Sequence, residues 1–249
     1  MRIFFTVLFS FVLITAAAEK PVYHYVSIRT DYGECLLKLY NETPKHKENF
    51  IKLVNEGYYE DLLFHRVIHN FMIQGGDPES RYAAETQALG KGGPDYKIPA
   101  EIQDSLIHKK GAIGAARDNN PEKESSGSQF YLVQGHVFSH AGLDSLEEFL
   151  FKGKKLSSKQ RETYTSIGGV PHLDGEYTVF GELIEGIEVV DSIAVQETDR
   201  RDRPKENIRM NMHLFTRREA LNFEREQQGL EPKTGIFTRL LDLFRSENY

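Results

Sequence analysis

The chain has 249 residues, 27% of them charged and 39% hydrophobic, with a formal net charge of −6. That is the make-up of an ordinary soluble protein of one large domain or two small ones. The acidity argues against a nucleic-acid partner, which needs a basic face, and the single cysteine, Cys35, excludes an intrachain disulfide. A short basic start, Met1-Arg2, precedes an apolar run to Thr15 and then Ala16-Ala17-Ala18. The run is too short to span a bilayer comfortably and ends in an Ala-x-Ala pattern, so residues 1–18 read as a cleaved secretory signal.

From Val22 to Tyr40 the alternation predicts a hairpin turning at Asp31-Tyr32-Gly33, with Cys35 as a small buried hydrophobe. Thr43-Pro44 opens a helix, with Thr as its cap, Phe50, Leu53 and Val54 as its apolar stripe, and Gly57 as its stop. Residues 90–99 are a Gly-, Lys- and Pro-rich loop, Ala100-Glu101-Ile102 is expected as a short strand, and 118–126 as loop. Gly111 to Ala116 is small and apolar, allowing close approach. Ser128 to Val133 is a strand. Leu146 to Phe151 looks helical, and Ser157-Ser158-Lys159-Gln160 is a capping-box pattern opening another helix. Strand, helix (Glu188 to Ala194) and a last strand (Ile208 to Phe215) follow. A charged helix begins at Thr216, and Ile236, Phe237, Leu240, Leu241 and Phe244 line one face of a final one. The tally, about eight strands with two helices between distant strands, predicts a mainly β fold: a closed antiparallel barrel capped at its ends.

One stretch concentrates the chemistry: Phe64-His65-Arg66-Val67-Ile68-His69-Asn70-Phe71-Met72-Ile73-Gln74-Gly75-Gly76-Asp77. An Arg among large apolar neighbours fits a guanidinium at the rim of an apolar pocket, ready to donate to a carbonyl. Met72 and Gln74 alternate onto one strand face. Two more blocks follow in order: Gly111 to Arg117 with Ser126 to Tyr131, and Leu173 to Gly181.

These three blocks resemble the signatures of the cyclophilin family over roughly Val22 to Met212. The resemblance is to exported bacterial members with an insert before the third motif, here 136–170. It implies an eight-stranded barrel with two flanking helices and does not reach the first residues, the insert or the tail. With the signal-like start and the helical end, the chain divides into signal 1–18, isomerase domain 19–215 and helical tail 216–249. The resemblance implies Arg66 as the donor to the substrate carbonyl and Gln74 as its neighbour. Phe71, Met72, Tyr131 and Leu173 would form a proline slot, and Ala116, Arg117 and Gln129 would bind the backbone of preceding residues. His172 stands where the best-known eukaryotic members carry Trp, and Tyr177 where they carry His, so cyclosporin binding should be weak.

The residues fit that reading independently. No nucleophile–base pair, phosphate-binding glycine loop or metal-binding helix motif is present in the sequence, and the reading needs no cofactor or metal. A reaction that breaks no bond suits an apolar slot with one cation. Rotation about an X–Pro bond meets a barrier of about 20 kcal/mol, because twisting breaks amide resonance. The expected activity is therefore peptidyl-prolyl cis–trans isomerisation of proline-containing polypeptides during the folding of exported proteins. The alternatives are a non-catalytic module that holds proline segments, or a membrane-associated scaffold working through 230–249. The mixed charges of that tail make membrane contact the weaker expectation.

Overall fold

The computed structural model describes residues 20–233. The signal-like segment 1–18 and the apolar stripe from Ile236 to Phe244 lie outside the described residues. The chain forms two units, Tyr23–Thr216 and the remainder.

In the first unit the hairpin forms as its alternation requires, from β1 (His24–Thr30) and β2 (Gly33–Leu39), with Thr30 opposite Gly33. Gly33 turns the chain at φ +124°, where a side chain would be strained. Next comes α1 (Pro44–Asn55), which buries Phe50, Leu53 and Val54. Its cap is not the one expected. The Thr43 hydroxyl is buried without a partner. Glu101 caps the helix instead, accepting from the Lys45 and His46 N–H groups at 3.0 Å each and from His46 Nδ1 at 2.7 Å. Burial raises the Glu101 pKa, but the His46 and backbone bonds outweigh it and hold the carboxyl below its usual range. The strand expected at 100–102 is therefore absent, since its central residue serves α1 from an irregular segment.

The next elements are β3 (Leu62–Leu63), β4 (Arg66–Ile68), β5 (Met72–Gly75), β6 (Lys97–Ile98), β7 (Ala112–Ala115), β8 (Ser125–Ser126) and β9 (Phe130–Val133). The β6–β8 pair makes a small ladder of its own, so the 118–126 loop ends in a strand. Segment 136–170 holds α2 (His140–Ser145), which runs on into a wide turn at Leu146–Leu150, and α3 (Ser158–Ser166). The capping box of α3 forms: the Ser157 hydroxyl accepts from Gln160 N–H, and the Gln160 carboxamide accepts from Ser157 N–H. Buried Glu147 ties the segment together, accepting from Arg161, Lys155 and the Leu156 N–H at 2.7, 2.9 and 3.0 Å. The unit ends with β10 (Val179–Glu185), α4 (Ile187–Ala194) and β11 (Arg209–Leu214).

Nine strands form one antiparallel, curled sheet in the order β3-β11-β1-β2-β10-β7-β9-β5-β4. Among the described residues this sheet does not close into the eight-stranded barrel the sequence predicts. No ladder among them joins the end strands β3 and β4, which are consecutive in the chain. The amides at that seam have other acceptors: Phe64 N–H donates to Ile208 C=O at 2.9 Å, and Val67 N–H to Asp202 C=O at 2.7 Å. Continuity through Phe64-His65 replaces the missing hydrogen bonds.

Inside the curl, Phe50 meets Tyr59, Phe130 and Phe180 with ring centroids 5.2–5.7 Å apart, mostly edge to face. Val189, Val190 and Ile193 of α4 join this core. Cys35 lies in it, and burial pushes its thiol pKa up to about 12, so it stays protonated and unreactive. In the second unit, α5 (Arg217–Gln227) is the charged helix expected there. Its Glu224 carboxylate accepts from Val22 N–H at 2.8 Å, and Gly229, at φ +69°, lies just beyond its end. No described helix is long and apolar enough to cross a membrane.

Candidate active site

The ladder register aligns the chemistry. Arg66 on β4 pairs with Gln74 on β5, Gln74 pairs with Tyr131 on β9, and Tyr131 pairs with Gly114 on β7. Directly opposed residues in an antiparallel sheet share a face. The four therefore form one row across four strands, and Met72 lies beside it on the same face as Gln74.

The row opens on a cavity of about 160 Å³ lined by Arg66, Phe71, Met72, Gln74, Ala116, Arg117, Tyr131, Leu173 and Tyr177. Nine of the eleven residues singled out from sequence thus meet at one place. The other two flank it. His172 is exposed and stacks on Phe71, with centroids 5.5 Å apart. Gln129 is buried, and both ends of its carboxamide are engaged: Oε1 accepts from Gln74 Nε2 at 3.0 Å, and Nε2 donates to the Gly92 carbonyl at 2.7 Å. In this conformation it orients Gln74.

The Arg66 side chain is 43% exposed and pairs with Asp202 at 3.4 Å. Its Nη1 also lies 3.5 Å from Gln74 Oε1. The guanidinium is thus steered from two sides while donor positions remain open toward the cavity. Arg117 is held differently: it donates to the Glu176 carbonyl at 3.0 Å and the Asp118 carbonyl at 3.1 Å. It also pairs with the Glu176 carboxylate and lies 4.7 Å from the Tyr177 ring centroid. It makes a wall, together with Tyr177.

The floor is Tyr131, only 4% exposed, its phenol pKa raised by burial. Its hydroxyl lies 2.8 Å from His108 Nε2. His108 is fully buried, and its Nδ1 lies 2.9 Å from Asp174. Burial pushes the Asp174 pKa up, but bonds from His108 and Tyr164 outweigh it and keep the carboxyl below its usual range. Sequence reasoning missed His108 altogether. Asp174 falls inside the third motif block, where nothing in the sequence gives it a role of its own.

Two neighbouring cavities frame the slot. One of about 230 Å³ shares Arg66 and Gln74 with it and is also lined by His65, Arg201 and Arg203. His65 is buried with neither ring nitrogen bonded, and burial pulls its pKa down to about 4. The other, about 680 Å³, lies beyond the 171–176 turn against segment 136–170. The smaller slot is nonetheless the candidate, because there the Arg66 guanidinium and the Gln74 carboxamide face Phe71, Met72 and Leu173 from one row of the sheet. Among the described residues no group of three or more His, Cys, Asp or Glu is placed to hold a metal.

Residues 25–213 match the family model for cyclophilin type peptidyl-prolyl cis-trans isomerases. A putative bifunctional phosphatase/peptidyl-prolyl cis-trans isomerase of Streptococcus pyogenes is 36% identical over 186 residues, covering 74% of this chain and 37% of that protein. A peptidyl-prolyl cis-trans isomerase of Arabidopsis thaliana is 33% identical over 187 residues, covering 75% of this chain and 92% of the relative. The crystal structure of a Cryptosporidium parvum cyclophilin type isomerase superposes with TM-score 0.58 at 26% identity, covering 78% of this chain and 98% of that one. A second structure of that protein, solved in the presence of the dipeptide Ala-Pro, gives TM-score 0.57. With its slot, its row of Arg, Gln and Tyr, and these relatives, the chain belongs to the cyclophilin-type peptidyl-prolyl cis–trans isomerases.

Proposed function

We propose that the slot rotates X–Pro bonds in polypeptides, with Arg66 as the donor that stabilises the twisted amide. The observation that carries the reading is the register row: Arg66, Gln74 and Tyr131 face one ring-sized apolar cavity from adjacent strands. The proline ring enters between Phe71, Met72, Leu173 and Tyr131. Twisting the peptide bond frees the carbonyl from resonance and localises the lone pair on the proline nitrogen. A fixed guanidinium favours that state over either planar isomer, which is what lowers a barrier. Removing about 7 kcal/mol corresponds to roughly five powers of ten in rate. Ala116 and Arg117 border the preceding residues of the substrate. His172, outside the slot, leaves its outer rim without the large indole a cyclosporin-binding site would use.

The substrates are proline-containing segments of unfolded chains, in keeping with the related Cryptosporidium structure solved in the presence of the dipeptide Ala-Pro. The basic start, short apolar run and Ala16-Ala17-Ala18 support export, with the mature chain beginning near Glu19. Export would place the activity in the folding of secreted or periplasmic proteins, with segment 136–170 as an insert and 216–249 as a tail.

A protease-coupled cis-Pro peptide assay on the full chain and on Arg66→Ala tests the enzyme. A roughly hundredfold fall in kcat/KM is expected on losing one such donor. Equal, negligible rates for both proteins would make the chain a proline-binding module instead. N-terminal sequencing of the secreted chain tests export: a mature product that still starts at Met1 would refute the cleavage.

A further inference from the structure

Segment 136–170 touches the slot from behind. Two residues of α3, Gln160 and Tyr164, lie four apart and so share one helix face. Both donate to the same oxygen: Gln160 Nε2 and Tyr164 hydroxyl lie 3.1 and 2.7 Å from Asp174 Oδ2. Oδ1 of that carboxylate accepts from the His108 N–H at 2.8 Å and faces His108 Nδ1 at 2.9 Å. A carboxylate can only accept, so Nδ1 carries the proton there. In the neutral ring, Nε2 is then the acceptor for the Tyr131 hydroxyl, 2.8 Å away. A continuous set of hydrogen bonds runs from the helix to the floor of the cavity.

Its members are held tightly. Tyr164 and His108 are fully buried. Backbone bonds join the two segments as well, with Val170 N–H donating to His108 C=O at 2.9 Å and Lys110 N–H to Gly168 C=O at 3.0 Å. On its far side Tyr131 has no slack, because even a Cβ on Gly114 would stand 2.3 Å from the ring. Packing alone would be served by an apolar residue at 164. A hydroxyl aimed at a buried carboxylate does something else: it fixes which way Asp174 points, and through it the tilt of His108.

We propose that α3 is a positioning element of the proline slot, with Gln160 and Tyr164 acting through Asp174 and His108 to set the Tyr131 ring. The inference rests on the slot being the isomerase site, and it makes 136–170 part of the machinery instead of a surface ornament.

Tyr164→Phe and Gln160→Ala in the full chain, each alone and combined with Tyr131→Phe, test it. Each single change should lower kcat/KM roughly three- to tenfold, the scale of one hydrogen bond to a charged group. The loss should sit mostly in KM, because the floor touches the proline ring in every isomer. In the Tyr131→Phe background the further loss should shrink below about twofold, while any change in Tm persists in both backgrounds. Equal fold-losses in both backgrounds, or full activity in either single variant, would overturn the proposal. If Tyr164→Phe does not fold, the half-buried Gln160 carries the test alone. If the unaltered chain shows no turnover, the enzymatic reading fails and the positioning is read directly. The Tyr131 ring resonances, identified by their loss in Tyr131→Phe, should then move in Gln160→Ala, and unmoved signals would refute the coupling.

Discussion

A single methyl group on Gly114 should disable the slot. Gly114 sits inside β7 opposite Tyr131, and its backbone is not in the left-handed region, so no conformational strain accompanies a side chain there. Space is the whole difficulty. A Cβ would stand 2.3, 2.4 and 2.6 Å from Cζ, the hydroxyl and Cε2 of Tyr131. Carbon atoms in comfortable contact lie about 3.5–4.0 Å apart, so the ring must retreat by roughly 1 Å. Retreat means entering the proline cavity or leaving His108. Overpacking of this kind costs about 1–3 kcal/mol, and a lost buried hydrogen bond adds about 1 kcal/mol. A displacement of that size at a site costs about a hundredfold in rate. Gly114→Ala is therefore expected to lose roughly 2–4 kcal/mol in urea unfolding and about two powers of ten in kcat/KM. Adding Tyr131→Leu should recover most of the stability by vacating the ring's volume, without restoring the floor. A Gly114→Ala protein with unchanged stability and turnover would show that the ring is not wedged as described.

Three further outcomes follow from the same geometry. Arg66→Lys keeps the charge, but an ammonium cannot span Gln74 and Asp202 while donating to substrate, so kcat should fall about tenfold or more. Stability should stay within about 0.5 kcal/mol, since the Asp202 pair is exposed on both sides; a larger change in the urea midpoint would contradict this. His65 is buried neutral, with its pKa pulled from 6.5 to about 4. Between those values the unfolded chain binds more protons than the folded one, so stability falls as pH drops from 6.5 to 4. The total is on the order of 3 kcal/mol, and His65→Phe should flatten that limb of the curve; an unchanged slope would assign the loss elsewhere. Glu101→Ala removes the N-terminal cap of α1 and should cost about 1–2 kcal/mol, and hydrogen exchange at Lys45 and His46 should accelerate. Continued protection of those two amides would show that another group caps the helix.

What the sequence made legible was local. The hairpin, the stripe of α1, the capping box at Ser157 and the alternation of 130–133 all follow from neighbours a few residues apart. The slot was legible because three motif blocks resemble a known family, and the ladder register then brought those blocks to one face. Long-range pairings escaped. Thr43 looked like a cap, yet Glu101, more than fifty residues on, holds α1. Nothing near His108 or Tyr164 announces that both address Asp174, because hydrogen-bond partners across a fold leave no periodic trace in the chain. The barrel expectation failed at its seam for a related reason: strand tallies count passages, and they do not see that loop carbonyls at Ile208 and Asp202 have taken the amides that closure would need.

The seam also bears on how the protein meets other chains. The two free margins of the main sheet, β3 and β4, are two and three residues long, and the carbonyls of Ile208 and Asp202 take amides beside them. So short a margin offers too few vacant backbone groups to recruit a stranger's strand. On the proposed function, in which proline-containing segments of unfolded chains are the substrates, that hazard would arise at every encounter. In that reading the visitor meets a hollow that holds one ring and lets go, while the described ends of the main sheet are too short to give it a rail along which to add itself and stay.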